Sequence, residues 1–234
     1  MSEINEPMAA VAQHVTHRLI NSKFPPIAIF EDAADADDFE ILYELQTLTN
    51  PRLTAETGDV SKLNPEHMPF GIKGCSYAVA PFTHINKEGS RFSDGEYGVL
   101  YLADTLETAI AETTYHQGNL WKGVKGLKYD TIIMRALKCT FSSNSLADIC
   151  ESTSEGMATN PLYDANDYAE ARRYGRQARK AGVEGLRYTS VRNPFVDCYA
   201  MFTPVGVEEI IQSAHYEYVW DGEQIAVVRK ISKA

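Results

Sequence analysis

One stretch of the sequence, residues 89–112, concentrates side chains that could do chemistry. Glu112 stands three residues after Ala109 on a helix predicted to begin just after Asp104, so its carboxylate lies close to the apolar face of that helix. A carboxylate in that position needs a charged partner or a cleft, because burying it unpaired is costly. Glu112 is therefore either a functional group in a cleft or half of a structural ion pair with Arg91 or another arginine, and the spacing leaves both open.

The sequence contains none of the short motifs that identify the common nucleotide-binding, metalloprotease and serine-hydrolase classes. The sequence has no Walker loop, no G-x-G-x-x-G fingerprint, no H-E-x-x-H and no G-x-S-x-G. Among six histidines, His14 and His17 have the spacing of two metal ligands on one helix, but we favour surface histidines on a polar helix face, and we predict no metal site. The four cysteines lack C-x-x-C spacing and are all expected to be small core residues: Cys75, Cys139, Cys150 and Cys198.

Composition narrows the class of protein. With 234 residues and 44% hydrophobic content, the chain can bury a substantial core. Its net charge of −10 argues against general nucleic-acid binding, which needs lysine and arginine, yet a local arginine pocket for a small anion stays compatible with it. The apolar runs Tyr77–Phe82 and Val99–Ala103 are far shorter than the roughly 20 residues of a membrane helix. The first residues show no secretory signal, so we expect a cytoplasmic protein.

The first part of the chain is predicted to be mostly helical. A helix opens at Asn5 and Pro7 and ends before Pro25, a short strand follows at Ile27–Phe30, and a helix that starts in an acidic run ends at Leu48. A Pro- and Gly-rich connection at 50–74 then leads into the rest. We accordingly divide the chain into an N-terminal extension, 1–70, and a main domain, 71–234.

The main domain alternates strand and helix signals, and strands outnumber helices toward its end. This pattern favours an α+β fold over a doubly wound sheet. In chain order we expect strands at Ser76–Phe82 and Val99–Ala103, a helix at Thr105–Tyr115, a strand at Thr131–Phe141, a helix at Tyr168–Ala181, strands near Gly185–Tyr188 and Cys198–Phe202, and a hairpin of His215–Trp220 with Gln224–Arg229.

Two ordered blocks of sequence resemble the RES domain family, which is named for an Arg, a Glu and a Ser. The first block is Gly-x-Arg-Phe at 89–92, then Gly-Val-Leu-Tyr-Leu-Ala at 98–103 and Glu-Thr-Ala-Ile-Ala-Glu-Thr at 107–113. The second is Arg-Tyr-Thr-Ser-Val-Arg at 187–192, followed by Asp-Cys-Tyr-Ala-Met-Phe-Thr-Pro at 197–204. The resemblance covers residues 75–205. One departure is Thr189, where many members have proline before the serine.

The resemblance implies an ADP-ribosyltransferase-like fold: a mixed β-sheet core with flanking helices. It also implies an NAD-degrading toxin, a glycohydrolase or phosphorylase, neutralised by an Xre-type antitoxin. NAD is then the substrate, and no resident cofactor is expected. The alternatives are a mono-ADP-ribosyltransferase that modifies a protein and a catalytically silent binding module, and a homo-oligomer stays open as well.

The resemblance also assigns residues. It implies a catalytic set of Glu112, Arg91, Tyr101 and Ser190, and an NAD-binding set of Arg91, Tyr101, Ser190 and Arg192. These types suit the chemistry, because a fixed carboxylate stabilises an oxocarbenium-like state and arginine binds a pyrophosphate through two donors. Tyr101 either stacks on the nicotinamide ring or packs in the core, and Ser190 either binds the ligand or caps a turn.

Overall fold

The computed structural model describes residues 6–231 as seven strands and seven helices with short 3₁₀ turns. No helix within these residues is both long and apolar enough to cross a membrane. The strands are β1 (Met8–Asn21), β2 (Leu100–Ala103), β3 (Asp130–Asp148), β4 (Gly185–Thr189), β5 (Asp197–Met201), β6 (Val207–Trp220) and β7 (Ile225–Ile231). The helices are α1 (Ala28–Asp32), α2 (Ala36–Thr47), α3 (Leu53–Thr57), α4 (Cys75–Thr83), α5 (Leu106–Lys122), α6 (Ser154–Thr159) and α7 (Ala169–Lys180).

The strands form one mixed sheet in the order β1-β2-β5-β4-β3-β6-β7, in which β1 also pairs with β3. Five strands therefore close into a ring, and β6 and β7 extend from β3 on one side. The pairing of β3 with β4 is parallel and the other pairings are antiparallel. The predicted α+β class, a mixed sheet with flanking helices, is confirmed.

Side chains alternate between two cores on opposite faces of the sheet, as the two-residue period of a strand requires. In β2, Ala103 joins the first core with α5 and α7, while Leu100 and Leu102 join the second core with α1, α2 and α4. The helices of the N-terminal segment thus cover the sheet face opposite α5. The predicted division of the chain at residue 70 stays a prediction.

The predicted first helix is wrong: Met8–Asn21 form strand β1, and Asn5, where the helix was predicted to open, lies outside the described residues. It pairs with β3 from Met8 opposite Ala147 to Asn21 opposite Met134, with register shifts before His14. Met8, Val11, Val15 and Leu19 are spaced as on one face of a helix, but Met8 and Val15 are exposed. Pairing with a distant strand decides the outcome, and the β-branched residues of this segment suit a strand.

Two short predicted strands are also wrong, because Ile27–Phe30 lies mainly in α1 and Ser76–Phe82 lies in α4. A continuous apolar run is compatible with a buried helix as well as with a buried strand. The two helices are joined by the Glu31 carboxylate, whose Oε1 accepts hydrogen bonds from the Ser76 backbone N–H at 3.0 Å and hydroxyl at 2.6 Å. This contact supplies the N-terminal acceptor that the helix needs.

The cysteines follow the prediction with one exception. Cys75, Cys139 and Cys198 are buried, and Cys150 is exposed just beyond the end of β3. The expectation of four core cysteines is therefore wrong for Cys150.

Candidate active site

Helix α5 carries Glu112 along the first face of the sheet. The predicted start of this helix is confirmed, but its cap is Thr105, whose Oγ1 accepts a hydrogen bond from the Thr108 N–H at 3.2 Å, and not the predicted Asp104. Ala109 turns inward to the first core. The Glu112 side chain is 25% exposed, so its carboxylate lies at the edge of the core and is partly accessible to solvent.

Ser190 fixes the Glu112 carboxylate. It lies directly after β4, is fully buried, and donates a hydrogen bond from Oγ to Glu112 Oε1 at 2.7 Å. Ser190 Oγ also accepts hydrogen bonds from the backbone N–H groups of Arg192 at 3.1 Å and Asn193 at 3.0 Å. The serine therefore both caps the turn and orients the carboxylate.

The turn after β4 is tied to its surroundings on two sides. Asn193 donates from Nδ2 to Thr108 Oγ1 at 2.8 Å, which links the turn to α5. Thr189, the residue that departs from the family pattern, donates its backbone N–H to the Tyr163 hydroxyl at 3.1 Å and its hydroxyl to the Glu151 carbonyl at 3.0 Å. A proline at 189 has no N–H to donate. The threonine thus connects the turn to the segment between β3 and α7.

Arg91 and Arg192 reach that same segment from different elements. Arg91 Nη1 donates to the carbonyls of Leu162 at 3.0 Å and Asp164 at 2.9 Å, and its guanidinium lies 4.5 Å from the ring centre of Tyr168. Arg192 donates from Nη2 to the Ala165 carbonyl. Two arginines thus meet around residues 162–165, beside the Glu112 helix.

His116 is a functional candidate that the sequence analysis missed. Its Nε2 lies 3.9 Å from Glu112 Oε2, the carboxylate oxygen that Ser190 does not hold. Desolvation by partial burial lowers the pKa of His116; Glu112 opposes this shift, while Arg192 and Arg91 add to it. The four-residue spacing from Glu112 on one helix was the available signal.

Tyr101 supports the loop that carries Arg91. Its hydroxyl lies 2.8 Å from Ser90 Oγ and accepts from the Phe92 N–H at 3.0 Å, so it holds both neighbours of Arg91. Burial raises the pKa of Tyr101 to about 12, which keeps the phenol neutral. Its ring packs against the first core. Contact of this ring with nicotinamide stays a prediction.

The two histidines of the N-terminal segment lie on a strand and not on the polar helix face that was expected. Residues three apart in a strand point to opposite faces, so His14 and His17 cannot share a metal ion. His14 Nε2 instead lies 2.7 Å from Asp104 Oδ1 and 3.1 Å from the Tyr199 hydroxyl. Across residues 6–231, no cluster of three His, Cys, Asp or Glu side chains is placed to hold a metal ion.

The structure thus brings the residues assigned from sequence into two adjacent groups. Glu112 contacts Ser190 directly, and Arg91 and Arg192 share one loop, with Tyr101 behind Arg91. Their roles toward a ligand stay predictions. An anchored carboxylate next to two guanidinium groups is an arrangement that suits a substrate which carries phosphates and develops positive charge as it reacts.

Comparison with known proteins identifies the family to which this chain belongs. The RES domain family model matches residues 68–221, which include every residue of this site. The chain therefore belongs to the RES domain family. It is 31% identical over 214 residues to the uncharacterized protein y4oC of Sinorhizobium fredii (strain NBRC 101917 / NGR234), an alignment that covers 91% of this chain and 85% of that protein.

A solved structure was also found, at low sequence identity. It is the M. tuberculosis MbcT-MbcA toxin-antitoxin complex, with a TM-score of 0.42 and 8% identity over 88% of this chain and 85% of the matched chain.

Proposed function

We propose that this RES-family protein is an NAD-degrading toxin that cleaves the nicotinamide–ribose bond, as a glycohydrolase or phosphorylase, and that an Xre-type antitoxin neutralises it. The observation that carries the proposal is the Glu112 carboxylate held by Ser190 beside Arg91 and Arg192. Family membership supports it. The cytoplasm, where NAD is available, is the proposed site of action.

Glu112 supplies the electrostatic part of the mechanism. Breaking the nicotinamide–ribose bond builds positive charge on the ribose, and nicotinamide leaves with the bonding electron pair. A carboxylate already fixed at that point stabilises the charge without reorganising, an effect worth ~10²–10³ in rate for one such interaction. Ser190 holds the carboxylate in place through its 2.7 Å hydrogen bond to Oε1, and Oε2 lies 3.9 Å from His116 Nε2.

Arg91 and Arg192 supply the binding of the pyrophosphate. Both donate to neutral backbone carbonyls of the segment around Ala165. A charged phosphate oxygen is a stronger acceptor than a carbonyl, so NAD can take over these donors. Each guanidinium carries five N–H donors, which allows a two-pronged contact.

The second reactant decides the product. With water, the reaction gives nicotinamide, ADP-ribose and a proton; with inorganic phosphate, it gives nicotinamide and a phosphorylated ADP-ribose. In both cases the acceptor oxygen forms the new bond at the ribose carbon that nicotinamide leaves. Oε2 of Glu112 faces His116 at 3.9 Å, a place from which the pair can orient the acceptor.

The test is product identification after incubation of the purified protein with NAD, with and without inorganic phosphate. Free nicotinamide with ADP-ribose or its phosphorylated form supports the proposal. Glu112→Gln should lower turnover by ~10²-fold or more, whereas Glu107→Gln, an exposed glutamate on the same helix, should leave it unchanged. Unchanged NAD in every mixture would refute the proposal. ADP-ribose attached to an added protein would replace it with a transferase.

A further inference from the structure

Helix α2 carries large aliphatic side chains on the face turned away from the protein. Ile41 and Leu45 on the helix, and Leu48 directly after its last residue, are 58%, 57% and 80% exposed. Their spacing of four and three residues places them in one row, because Leu48 keeps helical backbone angles. On the other side of the helix Phe39 is buried in the second core. The exposed row therefore takes no part in the contacts that hold α2 on the sheet.

Acidic side chains border this row. At about 100° per residue, Asp37 and Glu44 lie on one side of it and Asp38 lies on the other, and all three are exposed. We call this surface the acidic stripe; its members are Asp37, Asp38, Ile41, Glu44, Leu45 and Leu48. A surface that fits it must offer aliphatic contacts bordered by positive charge.

The chain itself has such a surface at the C-terminal end of α5 and in the loop that follows. Leu120 and Val124 are 66% and 53% exposed there. Exposed lysines surround them, and we call this surface the basic patch; its members are Leu120, Lys122, Val124, Lys125 and Lys128.

The basic patch opens onto a cavity of about 610 Å³ between this loop and the β6–β7 hairpin. The hairpin contributes Asp221 and Glu223 to the opposite wall. The Asp221 carboxylate accepts from the N–H groups of Glu223 and Gln224, both at 2.9 Å, so it is engaged within its own turn. Both carboxylates are exposed and keep their charge, so the three lysines of the basic patch leave this rim with a net charge of only about +1.

The two surfaces lie on opposite faces of the sheet. Phe39 anchors α2 in the second core, while Trp121 anchors the end of α5 in the first core. They cannot meet within one chain. We propose that the acidic stripe of one copy docks onto the basic patch of a second copy, so that this chain associates head to tail.

Symmetric pairing of two acidic stripes is the competing arrangement. It would bring Asp37, Asp38 and Glu44 of both copies together, and like charges across an interface disfavour binding. A head-to-tail contact matches acids with lysines and leaves one unused surface at each end. Repetition then closes a ring or extends a chain of copies. The contact does not depend on the proposed NAD chemistry.

The first measurement is the mass of the purified protein in solution over a wide concentration range, by sedimentation or light scattering. We expect the average mass to rise with concentration, and the association to weaken at high salt because charge pairs on a rim are screened. A monomer at every concentration would overturn the proposal.

Two single variants test the direction of the contact. Leu45→Glu blocks the stripe and Val124→Glu blocks the patch, and each alone should be monomeric. Mixed, they should form a one-to-one dimer that grows no further, because each retains the surface that the other lacks. Val205→Glu, a charge placed on an exposed aliphatic residue outside both surfaces, is the control and should associate like the unmodified protein. If Val124→Glu still dimerises alone, the symmetric arrangement is right and the proposal is wrong.

A charge exchange tests the ionic part. Glu44→Lys and Lys125→Glu should each weaken association by about tenfold or more, and the double variant should recover it. All these positions are exposed, so circular dichroism should show unchanged folding. Equal association of the single variants and the unmodified protein would contradict charge matching.

Discussion

Replacing Ser190 by alanine tests whether the serine acts through Glu112. The change removes the 2.7 Å hydrogen bond to the carboxylate. Hydrogen bonds to charged groups are worth about 1.5–3 kcal/mol, and 1.4 kcal/mol corresponds to about tenfold. We therefore expect NAD turnover to fall by about 10- to 100-fold.

The same change also has a structural effect. The backbone N–H groups of Arg192 and Asn193 lose their shared acceptor, Ser190 Oγ. Leaving a buried donor unsatisfied costs about 1–3 kcal/mol. Thermal unfolding should therefore show a lower melting temperature for Ser190→Ala.

A double-mutant cycle with Glu112→Gln separates the two effects. If Ser190 acts by orienting the carboxylate, adding Ser190→Ala to the Glu112→Gln variant should lower turnover little further. The loss of stability should persist in both backgrounds, since the backbone N–H groups do not depend on the charge of residue 112. The assay is the initial rate of NAD loss together with thermal unfolding of all four proteins. Fully additive losses of turnover would refute the positioning role of the serine.

Three further predictions follow from the site and the fold. Arg91→Lys should weaken NAD binding clearly, because lysine cannot form the two-pronged contact. The control is Arg173→Lys, at an exposed pair with Glu170, which should leave NAD binding unchanged. Titration calorimetry measures both affinities, and an unchanged affinity for Arg91→Lys would indicate a structural arginine. Burial lowers the pKa of His17, so the unfolded state binds its proton more readily and the free energy of unfolding should fall as the pH drops below about 6.5. His17→Gln should flatten that dependence in urea titrations, and an unchanged slope would contradict the assignment. An Xre-type antitoxin should contact Arg91 and Arg192 through an acidic group, so saturating NAD should weaken the complex in a competition assay; equally tight binding would exclude occlusion of the cleft.

Local signals in the sequence predicted the strongest elements of the site. The strand ending at Ala103, the helix that follows it and the position of Glu112 beside an apolar face all depend on neighbours within a few residues. The contact between Glu112 and Ser190 joins residues 78 positions apart, and the family resemblance alone grouped them. Spacing could not show that Ser190 orients the carboxylate.

The missed features depend on distant partners. β1 is a strand because β3 pairs with it, and nothing in its own apolar spacing reveals that partner. The apolar run of α4 is a helix because Glu31 caps it from another element. The segment around Ala165 carries no motif, yet both arginines of the site donate to it.

The closure of the ring by β1 has a consequence for how the chain is made. β1 is synthesised well before its partner in β3, since the bonded residues Thr16 and Cys139 are 123 positions apart. At ~5–20 residues per second, a ribosome needs about 6–25 s to cover that interval. Ser190 is synthesised later still, so the Glu112 carboxylate lacks its hydrogen-bond donor until then. The site therefore stays unassembled until Ser190 has been synthesised, and during that interval a partner can bind the nascent chain.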